Sequence, residues 1–96
     1  MYLYHYFATF PRSHQHSRSI AWKEVQDAGF TTSSQLGDWH YFFYNADTLV
    51  VVSNVPLSDS ETHVHVVATS NADEPAKHWA LTLFNRIKDS TLVAID

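Results

Sequence analysis

The run Thr62-His-Val-His-Val-Val-Ala-Thr69 constrains the fold of this chain more than any other segment. As a strand it has two unlike faces, because successive side chains point to opposite sides of a sheet. His63 and His65 lie on one side, Val64 and Val66 on the other. A sheet built around it has one apolar side for a core and one side that displays imidazoles. Imidazole titrates near neutral pH and is the side chain most often used to hold metals. The same pair is therefore the first candidate for chemistry.

The rest of the chain supplies partners for such a sheet. Tyr2 to Phe10 is aromatic-rich and reads as a strand ended by Pro11. Arg12 to Ser17 reads as a polar loop. A helix follows, capped by Ser17 or Ser19, running to about Ala28 and stopped by Gly29. Its expected buried stripe is Ala21, Val25 and Ala28, flanked by Ile20 or Trp22. Thr31 to Gly37 reads as a polar connection. Asp38 to Tyr44 and Thr48 to Val55 read as strands joined by a turn at Asn45-Ala46-Asp47. Pro56 and Ser58-Asp59-Ser60-Glu61 form the next turn, before the Thr62–Thr69 strand. A second helix starts near Asp73 as cap, with Pro75 in its first turn, and runs to about Lys88. Ala76, Trp79, Ala80, Leu83 and Ile87 give it an i, i+3, i+4, i+7 apolar stripe. Thr91 to Ile95 reads as a short last strand or a packed tail.

The order β-α-β-β-β-α(-β) points to an α+β fold. Strands joined by short turns pair antiparallel, giving a sheet of four, with a fifth if the tail joins. Two helices on one face make a two-layer sandwich, ferredoxin-like or related. The chain of 96 residues reads as a single domain, 1–96. Apolar residues are 45% of it, enough for a core without staples. Cys is absent, which rules out a disulfide framework, a thiolate zinc site and a cysteine nucleophile. The first residues lack a basic segment and a cleavage site, so they do not read as a signal peptide. No apolar run approaches the ~20 residues that span a bilayer. A cytoplasmic protein away from membranes is the expectation. The net charge of −4, with Lys and Arg scattered, offers no basic face for duplex nucleic acid.

A two-layer fold leaves one sheet face open. If Val64 and Val66 meet the helices, that face carries His63, His65 and Val67. The Thr48–Val55 strand adds Val50 and Val52, or Leu49 and Val51, and the Asp38–Tyr44 strand adds His40, Phe42 and Tyr44, or the alternate set Trp39, Tyr41 and Phe43. The expected interface or ligand face is His40, Phe42, Tyr44, His63, His65 and Val67. A patch of this kind is unusual on a monomer and resembles the core of an interface in composition. A homodimer through the sheet is the first expectation, a protein partner the second. The alternative is a face covered by the chain's own N-terminal loop or tail. Stacking of single-stranded bases would need Lys or Arg beside the aromatics, and these strands carry none.

His63-Val64-His65 also resembles the His-hydrophobic-His signature of the HUH nucleases. That resemblance implies a divalent metal on two strand histidines and a nucleophilic tyrosine on a later helix. Here the helix after the strand, from Ala76 to Lys88, contains no tyrosine. The histidine-triad pattern fails at Val67, where a third histidine would stand. A plain metal site would recruit His14 and His16 to join His63 and His65. An apolar ligand would need a pocket lined by Trp39, Tyr41 and Trp79. The sequence holds no Gly-rich phosphate loop and no Gly-x-Ser-x-Gly elbow. The reading that results is a small non-enzymatic interaction domain without a cofactor. The alternative is a metal or small-molecule binder using the His63/His65 face.

Overall fold

The computed structural model describes residues 1–94. Its elements in chain order are β1 (Tyr2–Phe10), α1 (His14–Asp27), β2 (Thr31–Leu36), β3 (His40–Tyr44), β4 (Thr48–Ser58), β5 (Glu61–Ser70) and α2 (Asp73–Lys88). The fold is α+β, with one five-stranded antiparallel sheet in the order β1-β5-β4-β3-β2 and two helices. Strands β2 to β5 form a meander. The first strand then closes on the far side of β5, so α1 must carry the chain across the sheet.

Four strands lie between the helices, where three were expected. The extra one is β2, from the segment expected to be a polar connection. It pairs with β3 as an edge, with a bulge between Thr32 and Ser34. An edge strand needs no apolar side chains, since one side of its backbone stays in water; hence its polar sequence hid it. Gly37, at φ 62°, opens the turn into β3, a conformation that costs a glycine nothing. The fifth strand is thus β2 and not the tail. Residues 91–94 have no regular structure, and Ile95 lies outside the described residues.

The first helix starts three residues earlier than the earlier of its two expected caps. Ser13 is the cap, its hydroxyl accepting from the His16 amide at 3.2 Å. Ser17 sits inside the helix and faces the core. Ile20, Ala21 and Val25 join it there, while Ala28 is only half-buried. Gly29, at φ 98°, ends the helix as expected. In α2 the cap position is Ala72, one residue before Asp73, and it makes no side-chain cap bond. Asp73 and Glu74 in the first turn and Arg86 and Lys88 in the last complement the helix dipole instead.

The core lies between the helices and one face of the sheet. Phe10, Tyr41, Phe43, Val50, Val52, Val64, Val66 and Ala68 supply the sheet side. From the helices come Ile20, Ala21, Val25, Ala80, Leu83 and Ile87. Trp22 of α1 packs on Tyr41 and Phe43, and Phe84 of α2 on Tyr6 and Phe10. Both helices therefore cover the same face. No described helix is long and apolar enough to cross a membrane.

Candidate functional site

The second face of the sheet has no layer on it. Val64 and Val66 point to the helices, so His63, His65, Val67 and Thr69 point away. Cross-strand pairing lines these up in rows. One row runs Phe7, His65, Ser53, His40 and Leu36. The next runs His5, Val67, Val51, Phe42 and Ser34, and the one beyond it Leu3, Thr69, Leu49, Tyr44 and Thr31. Thr9, His63 and Val55 begin a further row on the other side. Not one of these positions is Lys, Arg, Asp or Glu. Glu61 and Asp59 stand beyond them, at the end of the β4–β5 hairpin.

The structure places His40, Phe42, Tyr44, His63, His65 and Val67 together on this face. The alternate set divides. Tyr41 and Phe43 are fully buried under α1, and Trp39 is exposed in the β2–β3 turn. Several large apolar side chains of the open face stand in solvent: Leu3 (58% exposed), Phe7 (59%), Leu36 (64%) and Tyr44 (45%). Residues 91–94, the described part of the tail, do not cover them. It runs on the helix side, where the His16 Nε2–H donates to the Leu92 carbonyl at 2.7 Å.

The polar groups of the face are paired with one another. His5 Nδ1 and His65 Nε2 lie 2.8 Å apart and share a hydrogen bond. His63 Nδ1 lies 3.3 Å from the Thr9 hydroxyl, and His40 Nδ1 2.8 Å from the Ser53 hydroxyl. Phe7 lies between the histidines, its ring centroid 5.7 Å from both His63 and His65. Burial pushes the His65 pKa below the ordinary histidine value, and His5 and His63 beside it push the same way. His5 is the participant that sequence reasoning missed. Its only signal was the alternation Leu3-His5-Phe7-Thr9, which shares a face with His63 and His65 only once β1 is known to pair with β5.

His14 and His16 do not join this group. Both lie in the first turn of α1, across the sheet from His63 and His65. His14 Nε2 is buried without a hydrogen-bond partner, and His16 is engaged by the tail. Among the described residues no group of three or more His, Asp or Glu is arranged to hold a metal ion. The pocket expected around Trp39, Tyr41 and Trp79 is not formed. Tyr41 packs under Trp22, and Trp79 stacks edge-on against Phe30, 4.9 Å away. An open depression of about 330 Å³ lies elsewhere, between Met1, Tyr44, the β3–β4 turn and Asn71. The helix after the histidine strand, α2, packs on the opposite face of the sheet, so none of its side chains approaches His63 or His65. Comparison with protein-family models, curated proteins and solved structures finds no match to this chain.

Proposed function

We propose that this chain is a small non-enzymatic domain that works by association, pairing with a second copy of itself through the open sheet face. The observation that carries this reading is the composition of that face. It combines exposed Leu, Phe and Tyr with histidines and hydroxyls, and its rows hold no fixed charge. Depletion of charge with enrichment of aromatics marks the buried centre of interfaces. The size is suitable. Five strands ~4.8 Å apart and on average about eight residues long give a footprint of roughly 650 Å². A standard interface takes about 800 Å² from each partner. Absence of fixed charge also removes the like-charge repulsion that an isologous contact, in which one patch meets itself, would otherwise face.

The frame for this reading is a two-layer layout of the ferredoxin-like kind, with the second sheet face left for the partner. A chain without cysteine suits a cytoplasmic setting. Sedimentation or light scattering tests the proposal. The expected mass is about 22 kDa, twice the 11.0 kDa of the chain. Phe7→Glu and Val51→Lys each bury a charge in the contact and should return it to monomer with an unchanged circular dichroism spectrum. A wild-type monomer at high concentration would sink the proposal.

A further inference from the structure

We infer that the outer edge of β1 is a second association site, where β1 of another copy adds antiparallel about a two-fold axis beside Tyr6 and joins the two sheets into one. The inference goes beyond the face pairing proposed above and does not depend on it. β1 is an edge of the sheet, with β5 on one side and no described strand on the other. Alternate residues of an antiparallel edge strand point their N–H and C=O groups away from the sheet. Proteins guard such edges with charge, proline, bulges or short length. The opposite edge, β2, is guarded by two of these: it has six residues and is broken by a bulge. β1 has none of them. Its nine residues pair with β5 without a shift in register, and Lys, Arg, Asp, Glu and Pro are all absent from Tyr2–Phe10.

A second copy fits this edge both in the sheet and in the helix layer. Centred on Tyr6, the two strands overlap over all nine residues, and no fixed charge meets another. On the helix side Tyr4 then stands opposite Ala8 and Tyr6 opposite Tyr6; on the open side Leu3 stands opposite Thr9 and His5 opposite Phe7. In the layer above, α2 packs on both β1 and β5, so it runs along their boundary. The two α2 helices of a joined pair therefore lie two strand spacings apart, ~9.6 Å, and packed helices stand about 8–10 Å apart. β1 and α2 run in the same direction, since the Tyr4 hydroxyl donates to the Asp73 carboxylate and Arg12 to the Ile87 and Lys88 carbonyls. Tyr6 is midway along the strand, and Leu81 is midway along the helix. Phe84 marks the β1 flank of α2, and Trp79, packed on Phe30, marks the other. By helical spacing Leu81 lies on the Phe84 flank, and it is 44% exposed. The axis thus brings Leu81 to Leu81. It sets Lys88 of one copy level with Glu74 of the other, and Lys77 level with Asn85, so like charges do not oppose across the seam.

One strand and one helix flank make a narrower contact than the ~800 Å² a standard interface takes from each copy, so the joined form is weak and is read by trapping it. The chain has no cysteine of its own. Subtracting two helix radii of ~2.3 Å leaves about 5 Å between facing Cα atoms, within the range a disulfide spans. The test is oxidation of Leu81→Cys in the full chain carrying Val51→Lys, which blocks the open face. A covalent pair of twice the 11.0 kDa chain mass should form. It should form at least ~10-fold faster than with His78→Cys, an exposed position elsewhere on α2, in the same background. In the trapped pair, alternate amides of Tyr2–Phe10 should exchange their hydrogens at least ~10-fold more slowly than in the reduced chain, with those of Thr31–Leu36 unchanged. Equal oxidation rates at the two positions overturn the inference. A trapped pair with unchanged exchange in β1 overturns it too, since only the helices would then touch. Neither result bears on the face pairing, which is read from the mass of the wild type.

Discussion

Replacing Arg12 should destabilise this fold more than any other change to a residue in its loops. The side chain leaves the β1–α1 connection and ends at the C-terminus of α2. Nη1 donates to the Ile87 carbonyl at 2.8 Å and Nη2 to the Lys88 carbonyl at 2.9 Å. These carbonyls belong to the last helical turn, which lacks i+4 helical donors, at the negative end of the helix dipole. The guanidinium also lies 4.8 Å from the centre of the Phe10 ring. Part-burial pulls its pKa down from the ordinary arginine value, and the group remains charged at any working pH. Hydrogen bonds from charged donors contribute about 1.5–3 kcal/mol each, and a cation at a helix C-terminus about 0.3–1 kcal/mol. The terms overlap, so Arg12→Met, which keeps the apolar stem, should cost about 2–4 kcal/mol. Arg12→Lys keeps the charge but loses the fork and should cost about half of that. Urea denaturation at a fixed low protein concentration reads both, since association would otherwise add to stability. The midpoint should fall with no change of slope. A loss under ~0.5 kcal/mol for Arg12→Met would refute the view that this arginine ties β1 to α2.

Two further predictions concern the interior. Asn54 is fully buried, and its Oδ1 accepts from the Ser17 hydroxyl at 2.5 Å while its Nδ2 has no partner. Ser17→Ala should therefore cost about 1–3 kcal/mol by denaturation, and Asn54→Leu added to it should restore part of the loss; a double mutant worse than the sum of the singles would refute this. Leu83 of α2 is fully buried against the sheet, so Leu83→Ala should cost about 2–5 kcal/mol, and a cost below 1 kcal/mol would mean that the α2–sheet contact is not packed as described.

The parts of the fold legible in the sequence were those where one periodicity dominates. Ala76, Ala80, Leu83 and Ile87 repeat at the helical spacing, and all four are buried. The alternation from Thr62 to Thr69 separated an apolar side of β5 from an imidazole side, while which of the two β3 sets stays outside was decided by its register through β4. Other features depend on contacts distant in the chain. Arg12 looked like a loop cation, because its acceptors are more than 70 residues away. Ser17 looked like a cap, because the residue that makes it a core group is Asn54. Thr31 to Leu36 looked like a connection, because an edge strand is held by its neighbour's backbone and not by its own side chains. Tyr2 to Phe10 gave a strand whose faces were equally apolar. Only its antiparallel register with β5 put Tyr4, Tyr6, Ala8 and Phe10 inward and His5 outward.

On the proposed reading, the choice of histidine for the open face has a physical reason. The face must be wet in the free chain and dry in the pair. Leu and Phe alone would serve the dry state and leave a large apolar patch in water. Lys or Glu would serve the wet state, but either would carry a full charge into the contact, a cost of several kcal/mol without a partner ion. Imidazole gives up its charge near neutral pH at little cost, and the hydrogen-bonded His5–His65 pair still offers water a donor and an acceptor when it is neutral. The β1–β5 register puts both imidazoles on that face at its β1 side, in adjacent rows with Phe7 and Val67 beside them.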